Sequence, residues 1–204
     1  MPSKKQIEQL LVEHLEPNLA KHGFKWLQSK HVFKRNCNVI QQEIAFHLNT
    51  FKPQEVRLEL AIGSKTLAKL LNRKTNVFDT FEPRRIPNWD FDLSTFGVYE
   101  LDGTEECEVL HQLSIEVLEK GIPFLNGMSS AEELLQFYLT PTEIFTRRSY
   151  VIHLCLLLNS KDWADKVMYA WNEFKVSEDA KNYHSLDKVD IEIQEALRGP
   201  ILEK

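Results

Sequence analysis

The sequence lacks the short motifs that build the commonest nucleotide-binding and catalytic sites. Its seven glycines never stand in a G-x-G-x-x-G or G-x-x-x-x-G-K arrangement, which excludes nucleotide binding through those phosphate loops. It has no G-x-S-x-G elbow and no H-E-x-x-H helix, which excludes the hydrolases and zinc peptidases that use them. Its seven histidines are scattered, so a zinc site would have to be assembled by tertiary folding alone. We therefore predict no cofactor, no metal and no catalytic residue.

Cysteine and long apolar runs are also scarce. Cys37, Cys107 and Cys155 stand far apart, which is neither a disulfide framework nor a zinc motif and suits a reducing compartment. The longest apolar run, residues 151–158, contains His153 and is far shorter than the roughly 20 residues that cross a bilayer. The N-terminus reads as an amphipathic helix with acidic residues rather than as a signal peptide. We expect a cytoplasmic protein with no membrane partner.

What is present is the composition of an ordinary globular protein, with its charge unevenly distributed. Residues 1–74 hold 13 basic and 6 acidic residues, whereas residues 75–204 hold 12 basic and 24 acidic ones. Much of the acid lies between Asp79 and Glu119, where the only basic residues are Arg84 and Arg85. An acidic surface repels nucleic acid and attracts basic partners, although charge at this density is also typical of a solvated face. We predict no nucleic-acid partner.

A β-hairpin between Val39 and Gly63 is the strongest local pattern. In both arms apolar residues alternate with mostly polar ones, which gives the strand pair one apolar and one polar face. The joining segment, residues 49–55, holds turn residues and Pro53, which cannot donate to a sheet ladder. The apolar positions are Ile40, Ile44, Phe46, Leu48, Val56, Leu58, Leu60 and Ile62. Helices must cover this apolar face.

A helix and a strand are predicted ahead of the hairpin. Residues 4–22 have the helical period, with a kink or short break near Glu16 caused by Pro17 and an end at Gly23. A first strand, bent near Gln28, leads into the hairpin, which makes an antiparallel meander.

The chain after the hairpin is predicted to be irregular and then helical. A short helix is expected over residues 66–72, a fourth strand at residues 89–93, and an extension of it or a fifth strand at residues 96–101. From Thr104 onward helix start and stop signals recur. These signals are a cap at Thr104, a stop at Gly121 and Pro123, capping boxes at Ser130 and Thr140, a helix from Thr140 to about Leu158, a stripe from Trp163 to Phe174 and a last helix over residues 187–198.

These elements together predict an α+β fold. An antiparallel sheet of four or five strands is covered by the N-terminal helix, and a mostly helical C-terminal half follows. We predict a sheet domain over residues 1–101 and a helical region over residues 102–204, packed on the sheet as one globular unit.

Several short motifs near the N-terminus carry a resemblance. They are Leu15-x-Pro17-x-Leu19, His22-Gly23-Phe24-Lys25, Phe33-x-Arg35 and the apolar strand from Val39. Over about residues 5–65 they resemble an uncharacterised family of bacterial domains of unknown function, in which a helix ending in Gly-Phe precedes a hairpin-rich sheet. The resemblance implies a fold and no chemistry. Small cytosolic immunity proteins encoded beside toxins are similar in build, which is an analogy of architecture alone.

The polar face of the hairpin is the candidate binding site. Its residues are Gln41, Glu43, His47, Arg57 and Glu59. An acid, a base and a cation on adjacent strands could form a binding face, or a general acid–base site if a pocket covered them. The competing interpretation is cross-strand charge pairing on a solvent-facing sheet.

The functional hypothesis is a cytosolic protein-binding module without a cofactor, of the immunity or regulatory type, whose acidic surface binds a basic partner. The alternative is an enzyme with a non-local active site between the sheet and the helical half, near Arg84, Arg85 and Trp89. A third possibility is a homo-oligomer that associates through the Trp163–Phe174 stripe. The oligomeric state does not follow from the sequence.

Overall fold

A computed structural model describes residues 2–72, 77–81, 94–95, 98–184 and 186–197. The chain forms two compact units. The first consists of Met1–Ser64 and Thr75–Ser129, and the second of Lys65–Lys74 and Ser130–Lys204. The predicted boundary after residue 101 falls inside the first unit, because the helices after the last strand pack on the sheet.

The α+β fold class is confirmed. The strands are β1 (Lys25–Leu27), β2 (Val32–Cys37), β3 (Ile40–Leu48), β4 (Glu55–Gly63), β5 (Val77–Phe81), β6 (Ser94–Thr95) and β7 (Val98–Glu100). The helices are α1 (Lys4–Lys21), α2 (Lys65–Leu70), α3 (Glu108–Glu116), α4 (Ile122–Asn126), α5 (Ala131–Tyr138), α6 (Pro141–Thr146), α7 (Arg148–Leu158), α8 (Lys161–Lys175) and α9 (Leu186–Leu197).

The sheet is antiparallel, and its strands follow the order β1-β2-β3-β4-β7-β6. The strand β4 pairs with β3 along one side and with two strands along the other. On that second side β7 pairs with the first residues of β4 and β5 with its last. The sheet has seven described strands, two of which, β1 and β6, are only three and two residues long. The predicted bent strand is in fact the hairpin β1–β2, and β1 and β6 are too short to show an alternating pattern. The strand predicted at residues 89–93 lies outside the described residues.

Helix α1 begins and ends where the sequence predicts. Ser3 and Gln6 form a reciprocal capping box at its start, and Gly23 follows its end with a φ of +81°, which suits a residue without a Cβ. Pro17 lies inside the helix, and the break predicted near Glu16 does not occur. The buried stripe of α1 consists of Ile7, Leu10, Leu11, Leu15 and Leu19.

The region of α3 and α4 departs from the prediction at both ends. Thr104 does not cap a helix, because its N–H and hydroxyl both donate to Asp102 Oδ1 at 2.9 Å, and α3 begins after Cys107. The helix does not stop at Gly121 either. A π-helical turn, Val117–Gly121, joins α3 to α4, with the Ile122 N–H donating to the Val117 carbonyl. Pro123, which has no N–H to donate, follows this turn in the first turn of α4.

The second unit is helical. The capping box of Ser130 and Glu133 opens α5 as predicted. The helix predicted from Thr140 to Leu158 is two helices, because the backbone leaves helical geometry at Arg147. Asn159 ends α7 in the left-handed conformation, with a φ of +46°. The Trp163–Phe174 stripe of α8 packs largely into the core of this unit. Its residues Val167, Trp171 and Phe174 are fully buried.

Candidate functional site

The five predicted site residues project from one face of the β3–β4 hairpin. In the strand register His47 lies opposite Arg57, and Glu59 lies opposite Ala45. Gln41 and Glu43 lie further along β3, at alternate positions that face the same side of the sheet as His47. Residues opposite each other on paired strands share a face, so the predicted alignment is correct.

Gln41 and Glu43 are buried, which differs from the solvent-facing interpretation. They are 4% and 6% exposed. Gln41 Nε2 donates to Glu43 Oε1 at 2.6 Å, and Lys34 Nζ lies 3.7 Å from the same oxygen. Polar groups can be buried when they hydrogen-bond to one another, which hydrophobic alternation alone does not reveal. This end of the face is a satisfied polar cluster, not an open binding surface.

The other end of the face is exposed and carries a histidine–carboxylate pair. His47 Nε2 lies 3.3 Å from Glu59 Oε1, and the His47 side chain is 58% exposed. The hydrogen bond to Glu59 raises the pKa of His47, while burial and the charges of Arg57 and Lys4 lower it. Glu43 is four residues away along β3, roughly 13 Å at the rise of a strand. His47 and Glu43 therefore cannot share a proton, and the predicted acid–base set reduces to the pair His47–Glu59.

We expect Glu59→Gln to lower the pKa of His47, measured by NMR titration of its imidazole ring. A raised pKa in the folded state stabilises the fold below the unfolded value of about 6.5, and this stabilisation disappears as the pH rises through the folded value. The loss of stability in the variant should be confined to the acidic side and stay below about 1 kcal/mol, as for exposed pairs. Arg57→Ala is the matched control and should raise the pKa of His47. A His47 titration unchanged by either substitution would contradict the assignment.

The opposite face of the sheet holds a buried amide that the hydrophobic pattern concealed. Gln42 stands among Ile40, Ile44 and Phe46 on the apolar side of β3 and has no exposed surface. Its Nε2 donates to the carbonyl oxygens of Leu125 at 2.5 Å and Met128 at 3.0 Å. The glutamine interrupting the apolar alternation was the only signal of this contact in the sequence.

Gln42 also connects to Arg35, which joins the motifs of the N-terminal resemblance. Arg35 Nε donates to Gln42 Oε1 at 2.6 Å, and its terminal nitrogens donate to the His22 carbonyl at 3.0 Å and to Asn126 Oδ1 at 2.6 Å. Its guanidinium carbon lies 4.5 Å from the centre of the Phe24 ring. Partial burial lowers the pKa of Arg35. The His-Gly-Phe and Phe-x-Arg motifs are therefore parts of one structural cluster that ties α1, β2, β3 and α4 together.

Two histidines that are distant in the sequence meet between α1 and α3. The ring centres of His14 and His111 lie 4.8 Å apart, edge to face. Burial lowers the pKa of His14, as does the neighbouring His111, whereas Glu105 raises it. No spacing in the sequence indicates this pair, because tertiary packing alone brings the two rings together.

The contribution of His14 to stability should fall as the pH drops below about 6.5, because a histidine whose pKa is lowered by folding takes up its proton more readily in the unfolded chain. We expect His111→Gln to raise the pKa of His14 and to weaken this acid sensitivity. Glu105→Gln should act in the opposite direction. NMR titration of His14, together with urea unfolding between pH 5 and 8, measures both effects. Equal pH dependence in all three proteins would show that the protonation of His14 is not linked to folding.

The remaining reactive residues offer little chemistry. All three cysteines are free thiols, and burial raises the pKa of Cys155 to about 11, which leaves it protonated and unreactive. Arg147 and Arg148 each face a carboxylate of their own, at Glu143 and Glu192, so they do not form one anion site. No group of metal-ligating side chains occurs among the described residues. Arg84, Arg85 and Trp89, the basis of the enzyme hypothesis, lie outside them.

Within the part of the chain that the structure describes, no helix is both long and apolar enough to cross a membrane. No protein-family model matches the chain. Comparison with curated proteins found no match, and comparison with solved structures found none either.

Proposed function

We propose that this chain is a cytoplasmic protein-binding module of the immunity or regulatory type, which binds a basic partner protein through an acidic surface and uses no cofactor. We further propose that it belongs to the uncharacterised family of bacterial domains that its N-terminal motifs resemble. The contacts of Arg35 with the His22 carbonyl and the Phe24 ring support the second proposal, because they join two of those motifs in one structural cluster.

The observation that carries the proposed function is an exposed acidic segment, residues 100–108. It contains five acidic side chains and no basic one, and all five are exposed. They are Glu100, Asp102, Glu105, Glu106 and Glu108. The side chains of Glu105, Glu106 and Glu108 form no ion pair with any residue that the structure describes. Charge left unneutralised in one short segment attracts a partner of opposite charge and speeds its association.

The backbone holds this segment in place. The N–H and hydroxyl of Thr104 donate to Asp102, which lowers the pKa of Asp102 and keeps it ionised. The Leu101 N–H donates to the Gln54 carbonyl at 2.9 Å, and Leu101 is fully buried. A charged surface fixed on a sheet loses less conformational entropy on binding than a flexible one.

Affinity capture with three proteins tests the proposal. The wild type is compared with Glu105→Gln/Glu106→Gln/Glu108→Gln and with the control Asp162→Asn/Asp165→Asn/Glu173→Gln, which removes three exposed charges from α8. We expect the wild type and the control to retain a basic protein at low salt and to lose it at moderate salt, since screening weakens exposed charge pairs. The acidic-segment variant should fail to retain it at low salt. Equal retention by both variants, or no salt-sensitive partner, would refute the proposal.

A further inference from the structure

A cavity of about 250 Å³ opens in the first unit, at a notch in the sheet. The strand β3 continues to Leu48, but its pairing with β2 ends at Ala45. The turn between β1 and β2 and the first half of α1 enclose the space beside the last residues of β3. The cavity is therefore bounded by α1, the β1–β2 hairpin and β3, all in the first unit, and does not depend on the acidic segment.

The inner wall of the cavity is apolar. Leu11, Val32 and Phe46 line it and are at most 8% exposed. The half-buried Trp26 forms one side, with its ring centre 4.9 Å from that of Phe33. The Trp26 Nε1 is already engaged with Gln28 Oε1 at 3.0 Å. A flat apolar group could lie against these side chains without leaving a polar atom unsatisfied.

The rim of the cavity is basic, although the chain as a whole carries a net charge of -5. The side chains of Lys4 and Lys30 are exposed and form no ion pair or hydrogen bond with any described residue. The Lys4 charge is close enough to His47 to lower its pKa. The carboxylate of Glu8, also on the rim, lies 2.6 Å from His31 Nδ1. Two ammonium groups are therefore available to a ligand, and Glu8 is the one carboxylate among the residues that line the cavity.

We propose that this cavity binds a small organic carboxylate, with its flat apolar body against Trp26 and Phe46 and its carboxylate between Lys4 and Lys30. A free phosphate is a poorer fit, because it needs hydrogen-bond donors on several sides. The wall of this cavity is formed by apolar side chains, which have no such donors. An uncharged apolar compound would fill the wall and leave both lysines without a partner. Apolar burial supplies affinity, and the lysines set the preference for an anion.

Protein-observed NMR with 3-phenylpropionate as the probe tests the proposal, with the uncharged 3-phenylpropionamide as its matched control. We expect shifts in the backbone signals of residues 26–32 and 45–48 and in the Trp26 indole N–H. The amide should bind at least about fivefold more weakly, the scale of two exposed charge contacts. No shifts in these residues, or equal affinity for the two compounds, would overturn the proposal.

A pair of double variants then assigns the charge. Lys4→Ala/Lys30→Ala should weaken binding of 3-phenylpropionate at least about fivefold, while Lys21→Ala/Lys25→Ala, which removes two exposed lysines elsewhere in the same unit, should bind as the wild type does. Equal affinity of the two variants would overturn the assignment of the lysines. The comparison of acid and amide on the wild-type protein remains decisive if the first variant unfolds.

Discussion

Replacing Gln42 with alanine should lower the free energy of unfolding by about 3 kcal/mol. The side chain has no exposed surface, so its removal leaves a cavity. It also removes the hydrogen bonds that the side chain donates to the Leu125 and Met128 carbonyls and the one that it accepts from the Nε of Arg35. Urea unfolding followed by far-UV circular dichroism gives the stability, and amide exchange of β3 locates the loss in the first unit.

Gln41→Ala is the matched control for this substitution. It removes the same side chain from the adjacent position on the opposite face, where a single hydrogen bond, to Glu43, joins it to a neighbour. Because Gln41 is also buried, its removal leaves a cavity too, and the expected loss is about 2 kcal/mol. Equal losses in the two variants would show that the contact of Gln42 with the helical carbonyls adds nothing to the stability.

Trp171→Ala should destabilise the second unit by about 4 kcal/mol. Trp171 has no exposed surface. Its ring centre lies 5.5 Å from that of Phe174, and its Nε1 donates to Asp190 Oδ1 at 2.7 Å, where Lys175 Nζ also binds. The substitution therefore removes a core ring and the contact between α8 and α9 at once. Thermal unfolding and amide exchange of α8 and α9 measure the loss.

Two companion variants separate the causes. Trp171→Phe keeps most of the ring and loses the hydrogen bond to Asp190, for an expected cost of about 1.5 kcal/mol. Tyr169→Ala truncates a residue of α8 that is 67% exposed and should change the stability by less than about 0.5 kcal/mol. If Trp171→Ala left the monomer stable and only altered its association, the stripe would be an interface rather than a core.

The hairpin and the N-terminal helix could be predicted from the sequence because their signals are local. Alternating apolar residues fix the face of a strand, and Ser3 and Gly23 mark the ends of α1 through their own backbone groups. The edge strands β1 and β6 could not be predicted, because two or three residues carry too little pattern. The end of α3 could not be predicted either, because a π-helical turn joins it to α4 without a break, despite Gly121 and Pro123.

The candidate site was only half predictable for a related reason. Alternation correctly placed His47 and Glu59 on one face, but it says nothing about what covers that face, and Gln41 and Glu43 are buried. The contacts of Gln42 with Leu125 and Met128, like the contact of His14 with His111, join residues far apart in the chain. Such contacts are set by tertiary packing, for which a single sequence carries no periodic signal.

The way in which β4 divides its outer side between β5 and β7 bears on the order in which the sheet is assembled. The β3–β4 hairpin needs only a short loop to close, whereas β7 reaches β4 after a long excursion of the chain. Closing a longer loop costs more conformational entropy, and this loss precedes any stabilising contact between the two strands. We expect the β3–β4 hairpin to form early and β7, together with β6, to pair with the sheet last. The edge formed by β7 and β6 should also be the first part of the sheet to unfold.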